Sequence, residues 1–315
     1  MTERTEPHLL RERLRSAGFD AEAVRAATGG VVAQAGLATL SGGGGEVFAK
    51  TVPVGIPGLF DVEASGLAAL REAGLRTPDV LLASRELLVL APFPAFPDTG
   101  EAWDELGRAL ARVHTSTVHE RFGWHRDGWL GRLRQVNTWT ADGHAFYAEH
   151  RLLRWLPEID GKLDADDRRA LERLCDRLPE VVPAQPACLT HGDLWPGNVL
   201  GAPGGGVAVV DPAVSYTWAE VDLSTMWCSV RPPQSERFFA AYAEVAGDAL
   251  LDGWRDRMRV LFLREVLSTV AHGDDTWDAV GYLREVVAPF RVRARGSAGV
   301  PSSAPAADGG TPTAG

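Results

Sequence analysis

The stretch Leu189-Thr190-His191-Gly192-Asp193-Leu194-Trp195-Pro196-Gly197-Asn198-Val199-Leu200 decides the fold, and Val209-Val210-Asp211-Pro212 follows it after a short break. A phosphoryl-transfer loop needs one carboxylate to orient the attacking hydroxyl. It then needs an amide five positions later and a second carboxylate beyond a hairpin, both to bind Mg²⁺. Asp193, Asn198 and Asp211 occupy these three places, so we predict Asp193 as the catalytic residue and Asn198 and Asp211 as metal ligands.

A hairpin explains the distance between the two metal-binding positions. Residues 199–200 and 207–210 have strand character, and Ala202-Pro203-Gly204-Gly205-Gly206 between them is a turn sequence. The hairpin brings Asn198 and Asp211 to the same end, close enough to share one ion. Hard oxygen ligands without histidine or cysteine favour Mg²⁺ over a transition metal.

A lysine upstream of the loop completes a nucleotide site. Phe48, Lys50 and Val52 share one face of a predicted strand, so the ammonium lies among apolar neighbours and needs a partner. The next segment, 58–73, has the apolar spacing of a helix and carries Glu63 at the edge of its stripe. Kinases use such a strand lysine and helix glutamate to hold the α- and β-phosphates, which makes Lys50 and Glu63 candidate nucleotide-binding residues.

Further nucleotide contacts are predicted from two backbone features. The pair Gly29 and Gly30 precedes a predicted strand and offers amides to phosphate, although a glycine pair is also common in plain turns. The glycines within 41–45 instead indicate a hairpin turn. A proline-rich run follows the last strand of this region and resembles an inter-lobe hinge, where the Ala91 carbonyl and the Phe93 amide would bond adenine. The alternative is a simple domain linker.

Composition excludes several classes of partner. The formal net charge of −10 and the pI near 5.3 argue against nucleic acid or an anionic membrane as partner. Cys175, Cys188 and Cys228 are an odd number and widely spaced, so neither a disulfide framework nor a structural zinc site is expected. No apolar run has the length of a signal peptide or membrane helix. We expect a cytoplasmic location, where ATP is available.

The distribution of elements predicts an α+β fold with two lobes and a tail. We expect residues 1–92 to form an N-terminal nucleotide-binding lobe, a small antiparallel sheet with one key helix. Residues 93–295 would form a larger, mainly helical catalytic and substrate lobe, and 296–315 a disordered tail. The predicted strands are 31–40, 46–52, 80–83 and 86–91. The predicted helices are 7–17, 58–73, 100–116, 142–156, 164–181, 218–228, 234–245, 250–270 and 277–292, with irregular segments at 121–140 and 212–217.

Ordered sequence blocks extend beyond the catalytic loop. With them the chain, from about Gly29 to about Phe290, resembles the fructosamine kinase (ketosamine-3-kinase) family of the aminoglycoside-phosphotransferase group, which has a protein-kinase-like fold. The most specific block is HGDLW-x-GN, with tryptophan two positions after the aspartate. The other blocks are Phe122-Gly123, 135–139 (QVNTW), 146–152 (FYAEHRL), Asp211-Pro212-Ala213 and Glu220-Val221-Asp222-Leu223.

The resemblance implies ATP-dependent phosphorylation of a sugar hydroxyl. The acceptor would be the 3-hydroxyl of a ketosamine, a fructosamine or ribulosamine formed by glycation of an amine, and the 3-phosphate would then decompose and free the amine. Asp193 would accept the hydroxyl proton, while Lys50 and a Mg²⁺ on Asn198 and Asp211 neutralise the phosphates. Trp195 would stack on the sugar ring.

The resemblance also implies supporting roles. His191 and Asp222 would support the catalytic loop, with Asp222 accepting its backbone amides. Gly192 stands where some protein kinases have the arginine that reads activation-loop phosphorylation, and Pro212 replaces the phenylalanine of the DFG motif. We therefore expect activity without phosphorylation. His272 is a minor candidate for the substrate pocket.

Alternatives remain open. Residues 31–33 are apolar where the family is usually polar, and Ala91 and Gly143 also depart from its pattern, which leaves details of nucleotide and substrate contact undecided. The same fold serves kinases for aminoglycosides, choline and other alcohols, and a pseudokinase would bind nucleotide without turnover. Instead of contacting substrate, Trp195 could pack in the core, and His272 could lie at the surface or pack against neighbouring residues. The sequence does not identify the sugar, the amine or the oligomeric state.

Overall fold

A five-stranded antiparallel sheet with two helices forms the N-terminal lobe of the computed structural model, which describes residues 8–27, 33–273 and 275–291. The strand order is β1-β2-β3-β5-β4, and every neighbouring pair is antiparallel. The elements of this lobe are α1 (His8–Ser16), β1 (Ala21–Ala26), β2 (Gln34–Leu40), β3 (Glu46–Thr51), α2 (Leu59–Glu72), β4 (Val80–Ala83) and β5 (Leu87–Leu90).

The sequence prediction missed the first strand of this sheet. β1 contains five small or charged residues and a single β-branched one, Val24, so its propensity signal is weak. The strand predicted at 31–40 is described from Gln34 onward, and Gly29 and Gly30, between β1 and β2, lie outside the described residues. The expected turn at 41–45 is present, closed by the Leu40 amide on the Gly45 carbonyl at 2.8 Å.

Helix α2 lies against the sheet because its apolar stripe is continuous. Phe60, Leu67 and Leu70 recur at helical spacing and are all buried. Glycines in the left-handed region flank the helix, Gly58 with φ 79° and Gly74 with φ 107°, a conformation that costs other residues energy. The helix is therefore fixed in length and in the face it presents to β3 and β5.

The C-terminal lobe is mainly helical and contains the large core of the protein, to which the N-terminal lobe also contributes two leucines. Its helices are α3 (Gly100–Ser116), α4 (Gly143–Tyr147), α5 (Ala165–Asp176), α6 (Leu178–Val181), α7 (Glu220–Cys228), α8 (Glu236–Ala246), α9 (Trp254–Leu261), α10 (Leu263–His272) and α11 (Ala279–Val287). Three two-stranded ladders carry its loops: β6 (Gly128–Leu130) with β7 (Leu133–Gln135), β8 (Cys188–Thr190) with β11 (Ser215–Thr217), and β9 (Val199–Gly201) with β10 (Val207–Val209).

Several predicted helices are divided. The helix expected at 142–156 becomes α4, a π turn at Ala148–Leu152 and a 3₁₀ turn at Leu153–Trp155. The π turn includes Arg151, whose buried guanidinium donates to the Val136 carbonyl at 2.7 Å. The helices expected at 164–181 and 250–270 are likewise divided, into α5 with α6 and α9 with α10.

Two segments predicted as irregular contain short strands. Residues 121–140 include the β6–β7 hairpin, and 212–217 include β11, which pairs with β8 ahead of the catalytic loop. Three-residue strands rely on their partners and carry almost no periodic signal. The predicted tail at 296–315 lies outside the described residues. Within the part that is described, no helix is long and apolar enough to cross a membrane.

Candidate active site

A buried glycine sets the path of the catalytic loop. Gly192 has φ 78°, and a Cβ added there would lie 2.2 Å from the Ala213 carbonyl oxygen. The two chain segments are also joined by the Ala213 amide, which donates to the His191 carbonyl at 2.8 Å. Only glycine fits this approach, so the loop and the segment after Asp211 lie against each other.

Asp222, at the start of α7, anchors the loop from below. Its carboxylate is fully buried and accepts the backbone amides of His191 at 2.7 Å and Gly192 at 2.8 Å. His114 of α3 contacts the same carboxylate through Nε2 at 3.2 Å. Burial opposes ionisation, but the hydrogen bond from His114 and the loop amides outweigh it and hold the pKa of Asp222 below its usual value. This carboxylate is therefore an ionised support for the loop backbone.

His191 joins the loop to the strand that leads to Asp211. Its Nε2 donates to the Val210 carbonyl at 2.9 Å, and its Nδ1 accepts the Asp193 amide at 3.2 Å. Burial is the main cause that lowers the pKa of His191, which keeps the ring neutral and suits one donating and one accepting nitrogen. With both nitrogens engaged, His191 connects the loop backbone to the strand before Asp211.

Asn198 holds the predicted catalytic aspartate. Its Nδ2 donates to the backbone carbonyl of Asp193 at 2.7 Å and to the carboxylate Oδ2 at 3.2 Å. Burial, reinforced by the nearby charge of Glu265, raises the pKa of Asp193 well above its usual value. A carboxylate with a raised pKa is a stronger proton acceptor, as a general base requires.

Lys50 joins the two lobes at the centre of the site. The side chain is only 8% exposed, and its Nζ donates to Glu63 Oε1 of α2 at 2.8 Å and also pairs with Asp211 Oδ1. Burial alone would lower the pKa of Lys50, but the two carboxylates outweigh it and raise that pKa. One lysine neutralises one carboxylate: burial raises the pKa of Glu63 to about 7, whereas Lys50 keeps the pKa of Asp211 low despite its burial.

Asp211 is held in an uncommon backbone conformation beside Asn198. Its φ is 56°, in the left-handed region, and such strain in a non-glycine residue occurs often at functional sites. The Val210 amide donates to the Asn198 carbonyl at 3.0 Å, so the chain enters Asp211 directly alongside Asn198. This is the convergence that the β9–β10 hairpin predicted.

The donors at this place fit a magnesium ion. The Asn198 Nδ2 donates to Asp193, which leaves the amide oxygen as the Asn198 atom that an ion could use, and Asp211 adds a carboxylate. Among the described residues no group of three or more His, Cys, Asp or Glu side chains could hold a metal. Mg²⁺ in kinases takes few protein ligands and completes its shell with phosphates and water, so these two oxygen donors suit it.

The structure describes the two predicted hinge residues, Ala91 and Phe93, but not the glycine pair. Ala91 and Phe93 follow β5 and are partly exposed, and the Ala91 amide is used by the Asp79 carbonyl at 2.9 Å. This is consistent with the Ala91 carbonyl as the adenine contact, which stays a prediction. No contact of Gly29 or Gly30 can be assigned because both lie outside the described residues.

The two predicted substrate residues differ in placement. Trp195 is 44% exposed, and its ring lies over Gly197, where an added Cβ would be 2.3 Å from Cη2. His272 instead accepts the Arg132 amide at Nε2, 3.1 Å away, and contacts the Ser268 carbonyl through Nδ1 at 2.8 Å. Trp195 is available to a ligand, whereas His272 joins α10 to the β6–β7 hairpin, and its substrate role stays a prediction.

Sequence reasoning missed the buried residues behind the loop. Arg264 of α10 donates to the Gly192 carbonyl at 2.5 Å and to Gln135 Oε1 at 2.6 Å, and it also pairs with Glu265. His114, which contacts Asp222 through Nε2, also contacts the Tyr242 hydroxyl through Nδ1 at 2.8 Å. A signal existed for one pair, because Arg264 and Glu265 are adjacent charges within an otherwise apolar helical run.

The architecture and the arrangement of these residues are those of a protein-kinase-like fold. A small antiparallel sheet carries a lysine paired with a helix glutamate, and a helical lobe supplies the aspartate, asparagine and second aspartate. The model of the fructosamine kinase family matches residues 4–276. The chain belongs to the fructosamine kinase family.

Individual relatives agree with this membership. The chain is 31% identical over 212 residues to a chloroplastic protein-ribulosamine 3-kinase of Oryza sativa subsp. indica, a match that covers 64% of this chain and 60% of that protein. It is 32% identical over 229 residues to an Enterococcus faecium protein assigned as a ketoamine kinase, covering 70% and 79%. The crystal structure of a Thermobifida fusca protein assigned as a fructosamine-3-kinase superposes with a TM-score of 0.75 at 30% identity, covering 89% of this chain and 96% of that one. The chain spans about three fifths of the length of the plant relatives it matches.

Proposed function

We propose that this protein is an ATP-dependent kinase that phosphorylates the 3-hydroxyl of a ketosamine, a fructosamine or ribulosamine, and so leads to deglycation. The observation that supports the proposal is that the charged groups expected of a phosphoryl-transfer site are all in contact with a partner from the same predicted set. Asp193 is held by Asn198, and Lys50 is held by Glu63 and Asp211. Family membership supports the ketosamine as acceptor.

In the proposed reaction the substrate hydroxyl oxygen attacks the γ-phosphorus of ATP. A bond forms between that oxygen and phosphorus, the bond from phosphorus to the β,γ-bridging oxygen breaks, and ADP leaves. Asp193 takes the hydroxyl proton, which its raised pKa favours. Lys50 neutralises the α- and β-phosphates, and Trp195, exposed beside the base, offers an aromatic face to the sugar.

Magnesium belongs to the same proposal. Asn198 and Asp211 would hold Mg²⁺, which would neutralise phosphate charge. Hard oxygen donors and the absence of a competing thiolate or imidazole in the pair support this choice of ion. We also propose a cytoplasmic location, which supplies ATP and suits the free thiols of Cys175, Cys188 and Cys228.

Substrate turnover tests the proposal. Purified protein is incubated with Mg-ATP and, separately, fructoselysine, ribuloselysine, kanamycin or choline, and ADP release is followed together with ³¹P NMR of the product. We expect a sugar 3-phosphate from at least one ketosamine, and no product with Asp193→Asn. Turnover of kanamycin or choline without either ketosamine would replace the acceptor, and nucleotide binding without any Asp193-dependent turnover would indicate a pseudokinase.

A further inference from the structure

The β6–β7 hairpin belongs to the C-terminal lobe by sequence but contacts the N-terminal lobe. A Cβ added at Gly128 would lie 3.7 Å from Cγ1 of Val62, so the hairpin backbone lies directly against α2. The next residue, Trp129, packs against an N-terminal-lobe core cluster. The buried members of that cluster are Val52, Leu59, Phe60, Leu67, Leu88 and Leu90. A tryptophan of the catalytic lobe therefore packs against the core cluster to which α2 contributes three residues.

The base of this hairpin is fixed to the catalytic machinery. Gln135, at the end of β7, is 2% exposed; its Nε2 donates to the Ala213 carbonyl at 3.0 Å and its Oε1 accepts from Arg264 at 2.6 Å. At the hairpin tip, the Arg132 amide donates to His272 Nε2 at 3.1 Å. Both ends are tied to buried or helical partners, so the hairpin has a defined position relative to the catalytic loop.

Helix α2 has a second contact with the catalytic lobe on a neighbouring part of its surface. A Cβ added at Gly66 would lie 3.1 Å from Cγ of Pro212 and 3.4 Å from Val214. Val62 and Gly66 are one turn apart, and Glu63, three positions before Gly66, neighbours Gly66 on the helix surface. The side of α2 that carries Glu63 is therefore the side that contacts the hairpin and the segment after Asp211.

Apolar packing is better suited than the ion pair to hold this helix. A buried ion pair loses the hydration of both groups, so its net contribution to stability is small. Glu63 also shares its lysine with Asp211, so the Lys50 charge is divided between two carboxylates. A tryptophan side chain that packs against the core of the helix contributes through a large apolar area and has no such cost.

We propose that the β6–β7 hairpin, through Trp129, holds α2 in the position where Glu63 meets Lys50, so that the nucleotide site stays assembled without an external signal. Trp129 is thus a positioning residue, which acts on the phosphates through α2 and Glu63. Protein kinases commonly fix the equivalent helix by activation-loop phosphorylation. The inference rests on the proposed function only in that Lys50 binds the phosphates of a nucleotide.

A double-mutant cycle on the full chain tests the inference. Mg-ADP affinity is measured by calorimetry for wild type, Trp129→Ala, Glu63→Gln and the double variant, and amide hydrogen exchange is followed across 59–72. If Trp129 acts through Glu63, each single change raises the Kd for Mg-ADP roughly tenfold, and the double change raises it by no more than about threefold beyond either. Trp129→Ala also accelerates exchange in α2, and Trp129→Phe restores most of the affinity.

Controls separate this from a general loss of structure. Trp277→Ala removes another tryptophan, 43% exposed, whose ring packs with Phe262 and Tyr282, and should leave the Mg-ADP affinity unchanged. If Trp129→Ala does not fold, the milder Trp129→Leu enters the same cycle. The inference is overturned if the double variant raises the Kd for Mg-ADP about a hundredfold, the product of the two single effects. It is also overturned if amide hydrogen exchange in α2 is unchanged in Trp129→Ala.

The outcomes also separate the inference from the proposed function. If the changes in the Kd for Mg-ADP multiply in the double variant while the wild type phosphorylates a ketosamine, Trp129 has no positioning role and the proposed function stands. If the two changes are coupled but the wild type phosphorylates no ketosamine, the positioning role of Trp129 stands and the proposed acceptor does not.

Discussion

The two halves of the site are held by different kinds of contact. The catalytic half, Asp193 with its loop, is held by hydrogen bonds to the loop backbone. Asp222 accepts two loop amides, and Asn198 donates to the Asp193 carbonyl. The nucleotide half is held by one buried ammonium, Lys50, between carboxylates from two other elements. All anchors of the catalytic half lie within the C-terminal lobe, whereas the nucleotide half exists only where the two lobes meet.

This difference indicates that the catalytic half is preorganised for its substrate. Backbone hydrogen bonds to a fully buried carboxylate fix geometry in advance of substrate, which is what a proton acceptor needs. A three-way charge cluster across two lobes instead depends on the position of α2, and so responds to any movement of one lobe against the other. We expect changes in the catalytic half to affect kcat and changes in the nucleotide half to affect the KM for Mg-ATP.

The largest expected effect is on the catalytic half. Asp193→Asn removes the proton acceptor and keeps the shape of the side chain, so kcat should fall by about 10³-fold while the Kd for Mg-ADP changes little. Steady-state kinetics with the active ketosamine and calorimetry with Mg-ADP provide the two numbers. A comparable loss of nucleotide affinity would show that the halves are not separate.

The nucleotide half should respond next most strongly. Lys50→Ala removes the cation between Glu63 and Asp211, so kcat/KM for Mg-ATP should fall by about 10²-fold, with much of the loss in KM. Lys162 is the matched control: it is the other lysine of the chain, and its Nζ donates to the Val270 carbonyl at 2.6 Å. Near-normal kinetics for Lys50→Ala, or an equal loss for Lys162→Ala, would contradict the assigned role.

A stability measurement sharpens the account of the catalytic half. Asp222→Asn replaces the ionised acceptor of two loop amides, so the free energy of unfolding should fall by about 2 kcal/mol at neutral pH. Amide exchange at His191 and Gly192 should accelerate. Ser224→Ala, on the same helix, removes a hydroxyl that donates to the Val221 carbonyl of α7 at 2.7 Å, and should cost much less.

The same variant has a defined pH dependence. Because the pKa of Asp222 is lowered in the folded protein, its stabilisation is complete above the unfolded-state pKa of about 3.9 and is lost as pH falls through the folded-state pKa. The difference in stability between wild type and Asp222→Asn should therefore shrink below about pH 4. Chemical unfolding at several pH values measures this. A constant difference down to the acid limit would mean that the carboxylate is not ionised in the fold.

The smallest expected effects concern the substrate side. Trp195→Ala should raise the KM for the ketosamine by about tenfold with little change in kcat or in the KM for Mg-ATP. Gly197→Ala should have a smaller effect in the same direction, because the added methyl group displaces the Trp195 ring. An unchanged substrate KM for both variants would return Trp195 to a packing role.

Part of the site was predictable because its members are close in sequence. Asp193 and Asn198 belong to one loop, and a hairpin of known direction relates Asn198 to Asp211, so spacing alone placed them together. The Lys50–Glu63 pair was predictable from strand and helix faces and is present at 2.8 Å. These inferences needed only local geometry.

Other features were not predictable for physical reasons. β1 and β11 gain their stability from partner strands, so their own sequences carry little signal. The division of 142–156 into three helical types leaves the apolar spacing almost unchanged, since it shifts hydrogen bonds by a single residue. The buried arginine Arg264 contacts a carbonyl that lies 72 positions away in sequence, at Gly192.

The sequence by itself determined which carboxylates, amide and lysine are available for the proposed chemistry, and the family to which the chain belongs. It could do so because catalytic groups and their spacing are written in short local patterns. Only the tertiary structure decided what holds these groups in place. The joining of Lys50 to both Glu63 and Asp211, the support of the loop by Asp222 and the hairpin packed against α2 all depend on contacts between distant segments. The first and third of these form where the two lobes meet, and the second forms within the C-terminal lobe.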